Sequence, residues 1–266
     1  MEGLELFDLA VAVGREAAAL VRDRRPPVGR VAAAAVKSSQ TDPVTEIDRA
    51  SEDLIRSLIA RERPEDAFWG EERGPSSAGT SGVEWIVDPI DGTVNFMYGI
   101  PAYAVSVAAR DAEGVAVGFV TNVADGREWG AERGRGAWRL DGVRRRIQAP
   151  VPPPSLDRLL VATGFGYDPQ VRAAQGEAVA LLLPQVRDIR RIGAAALDLC
   201  AVAEGTVDAY VERGLQPWDD AAAGLIATEA DCALDVSQDA DGRRLVAAAH
   251  RDIAAEYFSL VRACGF

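Results

Sequence analysis

The chain has 266 residues, 48% of them hydrophobic and 26% charged, with a net charge of −12 and a pI of about 4.7. That is ordinary globular composition, long enough for one large core or two smaller ones, and the acid excess disfavours non-specific binding to nucleic acid or an anionic membrane. Three widely spaced cysteines, Cys200, Cys232 and Cys264, form no Cys-x-x-Cys zinc motif, and the single His250 leaves little room for imidazole chemistry.

In chain order, Met1–Asp8 is acidic and lacks the basic start of a secretory signal. No apolar run approaches the roughly 20 residues of a membrane span. A cytoplasmic protein is expected. Leu6, Leu9, Ala10, Val13, Ala17, Leu20 and Val21 recur at helical spacing over residues 4–22. Residues 24–42 read as an irregular loop carrying Lys37. Thr45, with Asp48 three residues on, is a capping box opening a helix that runs to about Arg61. Phe68-Trp69-Gly70 closes a short strand before Glu71-Glu72, and residues 75–82, rich in Gly, Ser and Thr, read as a loop.

From Ala102 to Leu140 the pattern is an antiparallel meander, broken at Glu113-Gly114, Asp125-Gly126 and Arg133-Gly134-Arg135. Arg144-Arg145-Arg146 reads as a solvated turn. Pro150–Pro154 reads as a linker, dividing the chain into 1–150, a strand-rich half, and 151–266. The second half alternates: strands near 159–162, 188–192, 207–211 and 245–248, helices near 169–186, 193–204, 218–229 and 251–263. Such alternation predicts a mixed sheet with helices on its faces.

The most telling segment is Trp85-Ile86-Val87-Asp88-Pro89-Ile90-Asp91-Gly92-Thr93-Val94-Asn95-Phe96. An apolar strand runs into two aspartates, and the proline and glycine predict a turn among them. Carboxylates at the end of a buried strand need a partner, and hard divalent cations are the usual one. Gly92 lets the backbone approach a ligand, and its N–H and that of Thr93 can point at an anion. The segment alone therefore suggests a site for a metal ion and a phosphate. Glu71-Glu72 after a strand, Asp219-Asp220 at a helix start, and Gly193-Ala194-Ala195-Ala196 opening another helix complete the constellation.

These segments resemble the inositol monophosphatase family of magnesium-dependent, lithium-sensitive phosphomonoesterases. Asp88–Phe96 is similar to its first signature and Pro217-Trp218-Asp219-Asp220-Ala221-Ala222-Ala223-Gly224 to its second, with Asp42–Asp48 and Gly70-Glu71-Glu72 in the expected order. The resemblance spans nearly the whole chain and implies a layered αβαβα sandwich, usually a homodimer. It also implies two to three Mg²⁺ ions, replaceable by Mn²⁺, held by Glu71, Asp88, the Ile90 carbonyl, Asp91 and Asp219. All-oxygen ligands suit such ions. By the same resemblance Glu71, Thr93 and Asp48 orient and deprotonate the attacking water. Asp91, Gly92 and Thr93 hold the phosphate, and Gly193, Ala194, Ala195 and Glu212 face the leaving alcohol. Lys37 and Glu72 are further candidates near the metals.

The implied reaction is hydrolysis of inositol 1-phosphate with broad specificity. Histidinol-phosphatase, fructose-1,6-bisphosphatase and nucleotide 3′-phosphatase share the scaffold, and some bacterial relatives act with transcription and ribosomal RNA machinery. Net charge argues against direct nucleic-acid contact here. Phe165-Gly166-Tyr167 stands where animal-type members carry a serine pair, which points to the bacterial type and removes a hydroxyl contact. Asp231-Cys232-Ala233-Leu234 lacks a glycine pair often seen in the family, read as drift outside the site.

Overall fold

The computed structural model describes residues 5–26, 29–36, 43–75, 79–238 and 242–266. In chain order its first elements are α1 (Leu6–Arg24), β1 (Ala35–Val36), β2 (Pro43–Val44), α2 (Glu46–Glu62), β3 (Ala67–Gly70), β4 (Gly74–Pro75) and β5 (Glu84–Asp91). Next come α3 (Thr93–Tyr98), β6 (Ala104–Asp111), β7 (Gly114–Asn122), β8 (Glu128–Glu132), β9 (Gly136–Arg139) and β10 (Arg145–Ile147). The rest are β11 (Leu160–Thr163), α4 (Pro169–Leu182), β12 (Asp188–Arg190), α5 (Ala195–Glu204), β13 (Ala209–Arg213), α6 (Pro217–Glu229), β14 (Cys232–Gln238), β15 (Arg244–His250) and α7 (Arg251–Ala263).

Five layers result. Helices α1 and α2 cover one face of an eight-stranded sheet ordered β10-β9-β8-β7-β6-β5-β3-β4. Helices α5 and α6 lie between that sheet and a five-stranded one ordered β12-β11-β13-β15-β14. Helices α4 and α7 close the far side. Strand β5 explains why its sequence is so evenly apolar: Trp85 and Val87 pack toward α1 and α2, while Ile86 packs into the inner layer. A strand buried on both faces shows no alternation.

Two parallel pairings place the site. Strands β3 and β5 run parallel with Gly70 opposite Val87, so Glu71 and Asp88 leave the sheet at the same level. In the second sheet β11, β12 and β13 are parallel, so Gly164, Arg191 and Glu212 gather at one edge. Open sheets bind ligands beyond the carboxyl ends of parallel strands, and here two such ends face each other.

Some segments differ from the sequence reading. The stretch 24–42 is not wholly irregular, because Ala35–Val36 pairs antiparallel with Pro43–Val44. Strand β5 continues through Pro89 to Asp91; a register shift against β6 absorbs the proline, and the chain turns only at Gly92. Bulges are where a sheet tolerates proline. The basic cluster is an edge strand rather than a turn: Arg145–Ile147 pairs with β9, and Arg144 stacks 3.7 Å above the Trp138 ring. Charged edge strands are a common guard against further pairing. Strand β14 has no counterpart in the sequence reading, although Leu234 and Val236 alternate with Asp235 and Ser237. Asp231, just before it, takes the left-handed conformation with φ of 69°, which explains why glycine suits that position.

Candidate active site

Strand β5 delivers Asp88, Ile90 and Asp91 to the floor of a cleft of about 780 Å³. Asp88 Oδ1 accepts the Ile90 amide at 3.0 Å, which braces the bulge. Gly92 follows with φ of 87°, and a Cβ there would meet Ala102 O, Gly193 O and the Ala194 methyl at 3.0–3.2 Å. The conformation favours glycine, and the space for a side chain is tight. Thr93 opens α3, where helix geometry leaves the first amides without an intrahelical partner.

Thr93 Oγ1 stands 3.2 Å from Asp48 Oδ1 and 3.1 Å from the Ile90 carbonyl. Asp48 is fully buried. Its other oxygen accepts the Thr45 amide at 3.0 Å and the Thr45 hydroxyl, so the residue caps α2 while also holding Thr93. One carboxylate thus serves both the cap and the Thr93 contact.

The opposite side comes from the second half. Asp219, in the first turn of α6, accepts the Gln216 amide at 2.6 Å. The amides opening α5 do not wait for a ligand: Ala195 N and Ala196 N donate to the two oxygens of Asp91 at 3.2 and 2.8 Å. Gly193 and Ala195 line the cleft, whereas Ala194 is buried beneath it. Glu212, at the end of β13, accepts the Tyr210 hydroxyl at 2.8 Å. Its carboxylate lies so close over Gly164 that a Cβ there would stand 1.9–2.4 Å away. Glu72 is not among the lining residues, and Lys37 lies outside the described residues.

The acids repel one another. Burial, with Glu212 and Glu71 adding and the Ala196 amide opposing, pushes the Asp91 carboxyl up to about 7. Burial and then Glu71 raise Asp219 well above the usual range. Burial raises Glu212, against the Tyr210 hydrogen bond and the Arg191 charge. Asp198 on α5, its carboxylate oxygens buried without a hydrogen-bond partner, is also raised, by burial and then by Glu212 and Asp91. Such convergence is relieved by protons or by cations. The donor set is all oxygen and strongly anionic, which fits Mg²⁺ or Mn²⁺ and disfavours softer ions. Among the described residues no three His, Cys, Asp or Glu side chains form a finished metal cage. Asp88, Asp91 and Asp219 instead rest on the amides just named, so ligation would need side-chain adjustment toward a shared point.

Other site features carry weak sequence signals. Trp69 and Trp218 meet edge to face at 5.7 Å across the two walls. Both precede an acid, Glu71 by two residues and Asp219 by one. Asn95 ties α3 to the loop before α5, donating to Ala102 O and Ile192 O at 2.8 Å. Arg191 adds a cation to the wall, and only its place beside Gly193 hinted at that.

The profile of the inositol monophosphatase family matches residues 4–265. A Mycobacterium tuberculosis protein named inositol-1-monophosphatase SuhB is 45% identical over 240 residues, covering 86% of this chain and 83% of that one. A Haemophilus influenzae protein named Nus factor SuhB is 40% identical over 200 residues, covering 74% and 73%. The solved structure of Mycobacterium tuberculosis SuhB superposes with a TM-score of 0.83 at 41% identity, covering 98% of this chain and 96% of that one. The chain belongs to the inositol monophosphatase family and is a phosphoric monoester hydrolase.

Proposed function

We propose that this enzyme hydrolyses inositol 1-phosphate to myo-inositol and phosphate, with some breadth toward other phosphorylated polyols. The observation that carries the reading is the facing of two walls across one cleft. One holds Glu71, Asp88, Asp91 and Thr93, and the other holds Asp219 and Glu212. Glu71, Asp88, the Ile90 carbonyl, Asp91 and Asp219 would hold two to three Mg²⁺ ions, with Mn²⁺ able to substitute. When bound, the ions would neutralise charge on the transferring phosphoryl group and acidify the attacking water.

The chain's own residues do the rest. Thr93 has one hydroxyl proton and meets Asp48 at Oδ1, while the Thr45 contacts fall on Oδ2. Donating to Asp48, Thr93 keeps its lone pairs for the proton of an attacking water, and Glu71 orients that water from the opposite side. The amides of Gly92 and Thr93 cradle the phosphate. Glu212, steadied by Tyr210, accepts hydrogen bonds from vicinal hydroxyls of the departing alcohol. Gly193 and Ala195 leave room for the ring.

The protein acts as a cytoplasmic homodimer in this reading, and Li⁺ competes for the position shared by Asp88, Asp91 and Asp219. Among the described residues no helix is long and apolar enough to cross a membrane. The test is phosphate release over a panel of phosphomonoesters with Mg²⁺. The reading requires inositol 1-phosphate to lead the panel; strong preference for histidinol phosphate, fructose 1,6-bisphosphate or a nucleotide would replace it. A second reading draws on the name of the Haemophilus relative: a regulatory role beside the transcription machinery. With a net charge of −12, such a role would run through protein contacts rather than RNA.

A further inference from the structure

Helix α2 carries an acid where its apolar face would place a hydrophobe. Asp48, Glu52, Ile55 and Ile59 follow one another at helical spacing, and all are buried. The Glu52 side chain is 0% exposed. Its Oε2 accepts the Glu72 amide at 2.7 Å, and its Oε1 accepts the Arg73 amide and the Arg56 guanidinium, each at 3.1 Å. A Cβ at Gly70 would stand 2.3–2.6 Å from this carboxylate, so the absence of a side chain there is what admits it. Two consecutive amides converging on one anion form a nest, here with a protein carboxylate as its occupant.

The wrapped segment is the turn that begins with Glu71. Its amide donates to Val87 O at 3.2 Å, which ties the turn to the parallel neighbour strand. On the other side the two following amides close on Glu52. A rotation of the turn would strip two amide donors from a buried carboxylate, which is costlier than bending an exposed loop. Arg56 is itself held over the Phe68 ring at 4.2 Å, so the counter-charge has a fixed place.

We propose that Glu52 is a positioning residue for the reaction: its buried carboxylate locks the 71–73 turn and thereby aims Glu71 into the cleft at the level of Asp88. The proposal rests on the reading of Glu71 as a cation ligand and assigns no contact between Glu52 and substrate. Glu52→Gln keeps the shape but turns one acceptor into a donor facing a backbone amide. Gly70→Ala leaves the acid intact and presses on it from the other side.

The experiment compares both variants with wild type and with Glu71→Gln. It reads the Mg²⁺ concentration giving half-maximal phosphate release and, separately, the rise in Tm caused by Mg²⁺ without substrate. Both Glu52→Gln and Gly70→Ala should raise the half-saturating Mg²⁺ roughly ten-fold or more and should shrink the Mg²⁺-induced rise in Tm. If the metal-free Tm falls while both Mg²⁺ responses stay at wild-type values, Glu52 only stabilises the fold and the proposal is overturned. A Glu71→Gln variant with an unchanged Mg²⁺ response would instead overturn the reading of Glu71 on which it rests.

Discussion

The two walls of the cleft are both made from carboxyl ends of parallel strands, yet they are assembled differently. The wall from the eight-stranded sheet consists of short contiguous segments. Asp88 to Thr93 is one run of chain, and Glu71 sits level with it through the β3–β5 pairing. Two of its side chains rest on nearby backbone, Asp88 on the Ile90 amide and Thr93 beside the Ile90 carbonyl, while Asp91 is held from the other wall by Ala195 and Ala196. The opposite wall takes Gly164, Gly193, Ala195, Glu212 and Asp219 from four separate segments. Local construction suits the invariant part of the chemistry, where ligand geometry tolerates little error. Distributed construction suits selectivity, because the segments carrying Gly164 and Glu212 can change while Asp219 and the amides that hold Asp91 stay in place.

The sharpest way to test that division is to strike the first wall. Asp88→Asn should lower turnover by roughly a thousand-fold, since several kcal/mol of charge stabilisation depend on such ligands. Circular dichroism should show the fold intact. Near-normal phosphate release from this variant would remove the proposed metal site.

Thr93→Val probes the same wall at the proton-handling step. Loss of a positioned hydroxyl should cost roughly a hundred-fold in kcat, with the half-saturating Mg²⁺ little changed. If Mg²⁺ affinity collapses while kcat at saturation survives, Thr93 serves the ligands rather than the water.

Glu212→Ala strikes the second wall. Inositol 1-phosphate should lose most of its advantage over a simple alkyl phosphate, an advantage of about ten-fold in kcat/KM when a buried acceptor goes unpaired. Activity on the simple ester should remain. Equal loss on both substrates would show that the walls are not separable.

The smallest effect is on stability. Asp91 titrates at about 7 in the fold, against about 3.9 in an unfolded chain. The native state thus holds this proton more tightly, so its contribution is full below about pH 4 and is lost as pH rises through about 7. In EDTA the Tm should therefore decline between about pH 5 and about pH 8. Mg²⁺ at about 100 times Kd should restore about 2.7 kcal/mol, and more at the higher pH because ligation needs ionised acids. A Tm that ignores both pH and Mg²⁺ would mean that the acids are not mutually strained.

Much of the first wall was legible because its signals are local. The capping box of Thr45 and Asp48, the apolar run into Asp88 and Asp91, and the glycine after them each depend on neighbours within a few residues. The periodicity of α1, α2 and α7 was equally readable, since amphipathic helices repeat their burial along the chain. Edge strands β10 and β14 were not, because a strand's partner supplies much of the evidence for it; β10 is only Arg145–Ile147, and the alternation of β14 is short.

Sequence alone thus determined the acids that converge on the cleft, the turn at Gly92, the order of most elements and the family to which these motifs belong. Tertiary structure alone decided who holds whom. The amides of Ala195 and Ala196 grip Asp91 across 104 and 105 residues of chain. Glu212 lies over Gly164, and Glu52 grips the turn behind Glu71. Those contacts depend on which strand ends become neighbours, and backbone amides, identical at every residue, leave no mark in a sequence until the fold brings them to an acid.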